Sequence, residues 1–269
     1  MPVRYISLAA VLGVLSASPA RASGGMTKEQ IKAAVVSDAI SIPTPGEFFA
    51  AMDDHGQPNW SQMFLPKSSA STDSRERMAL MLGVLVADGY LEVEAQDGQG
   101  VKNTGKEIIN LAKKLNVSQS VLGRGNSISD FAENNDWGVL REELEATQNE
   151  VKLSMVEQKD KDLVILVTVG AWVRGMQVAS EFVSKNYNPG LAGLLRQPAI
   201  VEYLVSELDN LPEKLRAEPQ IVDLREKLVS VLALVRTKDR KPPDPAAVAG
   251  IAAATGAIVN AISAGGSGS

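Results

Sequence analysis

The chain has 269 residues with 27 basic and 32 acidic side chains, a formal net charge of −5, and no cysteine. Mild acidity excludes the basic stripe of a nucleic-acid binder and the polybasic patch of a membrane-surface protein. The missing thiol excludes disulfides, thiolate chemistry and the lipobox of an acyl anchor, and the 4% aromatic content suits helix packing better than a β-sandwich.

The first element is a secretory signal over residues 1–22. Arg4 supplies the positive start, Ile6 to Leu15 the apolar core, and Ala20 and Ala22 the small residues before a cleavage site. The apolar run is about ten residues, half of the roughly 20 that a bilayer span needs. Cleavage near Ala22 removes Arg4 and Arg21 and leaves 25 basic against 32 acidic residues, a net charge of −7. About 247 residues remain, enough for one large domain with a substantial core.

Thr27 and Gln30 form a capping-box pattern for a short amphipathic helix to Ala39, and the prolines at 43 and 45 interrupt it. A short helix over Glu47 to Asp54 follows. His55 to Asn59 reads as a turn, Trp60 to Lys67 as irregular or one helical turn, and Ser68 to Asp73 as a polar connection. Ser74 to Gln96 is a helix apolar on nearly every side, which requires enclosure by other helices. Gly98 and Gly100 are read as its terminator, and Thr104 to Asn116 as an amphipathic helix.

Gly123-Arg124-Gly125-Asn126 reads as a breaker, with Ser127 or Ser129 capping a short helix to Asn134. Asp136 caps a longer one through Met155. Asp160 opens a second all-round apolar helix that runs to about Lys185. Its β-branched run also fits a buried strand, but the apolar pattern is far longer than a strand. Asn188-Pro189-Gly190 ends it. Pro198 and Pro219 open helices to Leu211 and Arg236. Arg240 to Pro245 is a proline-rich linker. Ala246 to Ile262 places Val248, Ile251, Thr255, Ile258 and Ile262 on one stripe of a small-residue helix docked on the bundle or used in a partner interface.

The predicted architecture is all-α, an irregular multi-helix bundle around two central apolar helices. Its boundaries are a signal peptide at 1–22, the bundle at 23–239, a linker at 240–245, the C-terminal helix at 246–264 and a disordered tail at 265–269. Gly83 and Gly89 in one central helix and Gly170 and Gly175 in the other imply close backbone approach, since a mid-helix glycine costs about 1 kcal/mol against alanine.

Charges in apolar helices are rarely buried unless paired. Asp88 and Arg174 are therefore expected to form an ion pair where the two central helices meet. Glu92 lies one turn beyond Asp88 on the same face, and Trp172 and Tyr90 complete the candidate ligand-binding residues. Zinc and a histidine-based triad are disfavoured because the sole histidine, His55, sits in a turn. Neither glycine-rich loop has the strand–loop–helix context of a phosphate loop. No catalytic residue, metal ligand or cofactor is expected.

Two segments carry a resemblance. Gly83-Val84-Leu85-Val86-Ala87-Asp88-Gly89-Tyr90 is similar to a G-x-Y-x-A-D-L-x-Y run, and Gly170-Ala171-Trp172-Val173-Arg174-Gly175-Met176 to G-x-W-[IV]-E-G-L. Both patterns belong to uncharacterised exported all-helical proteins and lipoproteins of Bacteroidetes-like bacteria. The chain resembles that group across about Met78 to Phe182, and departs from it at Arg174, at Gly89 and in lacking a lipobox. The resemblance implies an all-helical fold and an exported compartment, and no activity.

The function expected from the sequence is that of a non-catalytic exported helical protein, an interaction or scaffold module of the cell envelope in the periplasm or outside the cell. The alternatives are a periplasmic small-molecule binder with a pocket between the central helices, and a carboxylate-based hydrolase. A protein or a small molecule fits as partner; nucleic acid and a stable membrane span do not.

Overall fold

The computed structural model describes residues 42–56, 58–65, 74–117 and 119–264. The signal segment, the Thr27–Ala39 helix, the Ser68–Asp73 connection and the 265–269 tail lie outside them. The described residues form helices and turns, with no strand among them. The chain is an all-α multi-helix bundle.

Helix α1 spans Pro45–Gly56. It starts earlier than expected because Thr44 and Glu47 form a capping box: Thr44 N donates to Glu47 Oε2 at 2.8 Å, and Glu47 N donates to Thr44 Oγ1 at 3.2 Å. It also takes in His55, placed above in a turn. A 3-10 turn follows at Trp60–Met63.

Helix α2, Arg75–Glu94, begins where Ser74 accepts a hydrogen bond from Arg77 N at 3.1 Å. The glycines at 98 and 100 do not terminate a helix; they open α3, Gly98–Lys114. Gln96 takes a left-handed φ of 55° to turn the chain, and Asp97 Oδ1 accepts from Gly100 N at 2.9 Å as the new N-cap.

Helix α4, Gln119–Asn134, runs unbroken through Gly123 and Gly125, which were expected to interrupt it. Packing outweighs their propensity cost. Val121, Ile128 and Ala132 are buried, and Gly125 admits the Ile109 side chain of α3 close to its backbone. Arg124, between the two glycines, pairs with Glu143 at 2.9 Å and Glu150 at 2.5 Å on the next helix.

Helices α5, Trp137–Glu157, and α6, Lys161–Lys185, match the expected spans. Asp136 and Asp160 precede them, yet neither makes a side-chain capping bond. Asp160 instead pairs with Arg75 at 2.7 Å, tying the starts of α2 and α6 together. Beyond α6, Asn188 caps a short unexpected helix, α7, Pro189–Leu194. Then come α8 (Pro198–Asp209), α9 (Glu213–Arg216), α10 (Pro219–Val235) and α11 (Pro245–Ser263).

The α2–α6 contact is the most extensive among the described helices, with α11 laid along α6 and α10 against α11. It is close because of one glycine pair. A Cβ on Gly83 would stand 2.6 Å from Ala171 N and 3.0 Å from the Gly170 Cα, and one on Gly170 would collide with the Leu80 carbonyl oxygen. Gly89 and Gly175, read as part of the same approach, have ordinary van der Waals space instead, Gly89 against Leu144 and Gly175 against Phe48 and Pro45.

Among the described residues two helices, α6 and α11, are long and apolar enough to cross a membrane by length and composition. The apolar window of α6 is 100% buried, as its all-round patterning requires. For α11 the figure is 33%, but its expected stripe (Val248, Ile251, Thr255, Ile258 and Ile262) is wholly on the buried side. Arg77 holds the far end of α11, donating from Nη2 to the carbonyls of Ala261 at 3.0 Å and Ile262 at 3.2 Å. A cation on the last free carbonyls of a helix answers its macrodipole.

Candidate functional site

Helices α2 and α3 form an antiparallel hairpin, joined by the tight turn at Gln96, and a cleft of about 290 Å³ opens along their shared face. Helix α2 contributes Met81, Val84, Leu85, Asp88 and Glu92, which recur every three or four residues and so lie on one side. Helix α3 adds Asn103, Thr104 and Glu107, and its cap adds Asp97. Phe64 and Leu65 close one wall, and Ser263 at the end of α11 reaches the rim.

Glu92 is only 8% exposed, and its Oε1 accepts from the Thr104 hydroxyl at 2.8 Å, which joins the two helices at the cleft floor. Asp88 faces the cleft with a side chain 19% exposed, while its Oδ1 accepts from Arg174 Nε at 2.7 Å. Burial pushes the Asp88 carboxyl above its usual value, and the Arg174 charge opposes the rise.

Arg174 has no exposed surface. Besides Asp88 it donates from Nη1 to Gln177 Oε1 at 3.0 Å and from Nη2 to the Met63 carbonyl at 2.7 Å. All three of its nitrogens are engaged, so the guanidinium does not touch a ligand. It positions Asp88 and anchors the turn that leads into Phe64 and Leu65.

The expected ion pair is therefore present, and among the described residues the cleft does not lie between α2 and α6, where a pocket was expected. That seam is closed at Gly83 and Gly170, and the cleft lies on the opposite flank of α2, against α3. Tyr90 and Trp172 also lie elsewhere. Each is two residues from a site residue, about 200° around a helix. The Tyr90 ring packs over Gly46, with its hydroxyl buried near Glu47, Glu145 and Arg141 and burial raising its pKa. The Trp172 indole donates to Gln197 Oε1 at 3.0 Å, and its ring borders a cavity of about 10 Å³ shared with Thr44, Gln148 and Lys152.

Asp97, Thr104, Glu107, Phe64 and Leu65 were missed in the sequence. The Asp97-x-x-Gly100 capping spacing was the available signal for the first of them, and reading the glycines as terminators hid it. Among the described residues, no group of three or more His, Cys, Asp or Glu side chains is arranged to hold a metal ion.

Titration of the buried groups yields a testable pH profile. Burial raises the carboxyls of Glu47, Glu94, Asp162 and Glu207. Each binds its proton more tightly folded than unfolded. Its stabilising contribution is complete below the ordinary carboxylate range near pH 4 and lost as pH rises through the higher folded value. Asp209 shifts the other way beside Arg225, but at the surface, where solvent screens the pair. Burial lowers the Lys152 ammonium from 10.5 to about 8, so its contribution is present above 10.5 and lost as pH falls through about 8. The urea midpoint is expected to be lower near neutrality than at about pH 4, where the raised carboxyls hold their protons, and to rise again toward about pH 9.5. A midpoint that peaks at pH 7 would contradict these assignments.

Comparison with family models, with curated proteins and with solved structures finds no match to this chain. Fold and site by themselves define the class: an all-α bundle with one flank of its central helix opened into an acid-lined cleft.

Proposed function

We propose that this protein is a non-catalytic binding module of the cell envelope, exported after removal of residues 1–22, that receives a small ligand in the α2–α3 cleft. The observation that carries the reading is the cleft itself. Between its two end turns helix α2 is otherwise buried, yet here it leaves Asp88, Leu85 and Met81 partly open above the buried Glu92. Its volume approaches the roughly 300–1,000 Å³ of small-molecule sites, and it combines an apolar wall with a few fixed polar groups. Export is supported by the signal pattern at Arg4 to Ala22, and binding rather than catalysis by the prior engagement of Asp88 with Arg174 and of Glu92 with Thr104.

A thermal-shift panel of amines, amino acids, sugars, lipids, peptides and metal salts tests this on protein recovered from the periplasm, whose first residue is expected to be Ser23. A ligand at a hundred times its Kd stabilises by about 2.7 kcal/mol and raises the melting temperature accordingly. Leu85→Trp, which fills the cleft, is expected to abolish the rise while leaving the helical circular dichroism intact. A panel without any rise, or a rise that survives Leu85→Trp, would overturn the reading.

A further inference from the structure

Resting on the reading of the cleft as a binding site, we infer that its ligand is a small organic cation, an ammonium or guanidinium group on a short apolar body. Four lining residues are carboxylic acids, Asp88, Glu92, Asp97 and Glu107, and none of the described lining residues is lysine, arginine or histidine. Arg174, the cation paired with Asp88, is fully buried behind it and bound there. An anion would enter against this field, whereas a cation is drawn in by it.

Two of the carboxyls also lie close together. A Cβ on Gly100 would lie 2.6 Å from Asp97 Oδ2 and 3.0 Å from Glu92 Cδ, so glycine leaves room for two acids from different helices to face one point. A bare metal ion is the poorer occupant, because no three of these acids are arranged around a common centre. A sugar fits poorly as well, since Gln99 Nε2 donates to Asn103 Oδ1 at 3.0 Å and the Thr104 hydroxyl is spent on Glu92. Beside the acids, Val84 and Leu85 of α2 and Phe64 and Leu65 of the neighbouring wall offer apolar surface, and Phe64 is 36% exposed, a ring able to meet both an alkyl body and a cation. The cleft's volume limits that body to a few carbons or one ring.

Isothermal titration of the mature protein with hexylammonium, phenethylammonium and Nα-acetyl-lysine methylamide, against hexanol and hexanoate, tests the inference. The ammonium probes are expected to bind at least about tenfold more tightly than hexanol, a difference of about 1.4 kcal/mol, and to weaken with added salt. Hexanoate is expected not to bind. Asp97→Asn keeps the helix cap, because asparagine caps as well as aspartate. It should weaken the ammonium probes severalfold and leave hexanol unchanged. Tighter binding of the lysine amide than of hexylammonium would identify the cation as a protein side chain, and the reverse order as a free amine. Hexanol or hexanoate binding as well as hexylammonium, with loss in Leu85→Trp, would overturn the cation and leave the cleft standing as a site. Ammonium binding that survives Leu85→Trp would overturn both, and no binding of any probe at millimolar concentration would overturn the inference.

Discussion

Asp88→Leu is expected to cost about 3–5 kcal/mol in a urea melt, because it strands a guanidinium that has no contact with solvent. Arg174→Met should cost less, about 1–3 kcal/mol, because the carboxylate it leaves behind lines an open cleft and can take up water or a proton. The double variant Asp88→Leu/Arg174→Met removes both charges together. It is expected to cost no more than Arg174→Met alone, so the cycle should show a coupling energy at least as large as the Asp88→Leu cost, about 3–5 kcal/mol and above the roughly 0.5–3 kcal/mol usual for contacting residues. Losses that simply add would mean that the two charges do not meet.

Gly83→Ala and Gly170→Ala should each destabilise by about 3 kcal/mol, the upper end of the range for overpacking, and occasionally by more. The added methyl group meets backbone of the facing helix in both cases: the Val167 carbonyl and Ala171 N for Gly83, the Leu80 carbonyl for Gly170. A side chain can rotate away from such a clash; a helix backbone must move as a body, and α2 and α6 carry the rest of the core. Gly89→Ala, six residues further along α2, provides the opposite sign. Its methyl group would lie 3.8 Å from Leu144 Cδ1, an ordinary contact, and alanine is the better helix former by about 1 kcal/mol. Thermal melts should therefore show Gly89→Ala at or above the parent and the other two well below it. Equal melting temperatures for all three would remove the glycine pair as the cause of the close α2–α6 approach.

The helices were largely legible because their signals are local. The all-round apolar runs in α2 and α6 could only be buried, and the stripe of α11 showed which side docks. Charge logic went further: two ionised groups in two enclosed helices had to pair, and Asp88 and Arg174 do. Angular spacing was present in the sequence as well. Tyr90 and Trp172 stand two residues from Asp88 and Arg174, which already places them on other faces.

What the sequence by itself determined is therefore the helical content, the enclosure of α2 and α6 and the need for their buried charges to meet. Each follows from periodicity, capping chemistry or the desolvation of charge, all of which act within one helix or on one group. Only the tertiary structure decided that Gly123 and Gly125 lie within a helix, since contacts from α3 and α5 exceed the small local preference against it. Tertiary packing alone also decided which flank of α2 stays open. The glycine pair closes the α6 side, while the α3 hairpin, the Phe64–Leu65 wall and the end of α11 leave a gap on the other. Those surfaces come from segments far apart in the chain, and no local pattern in α2 records how they meet.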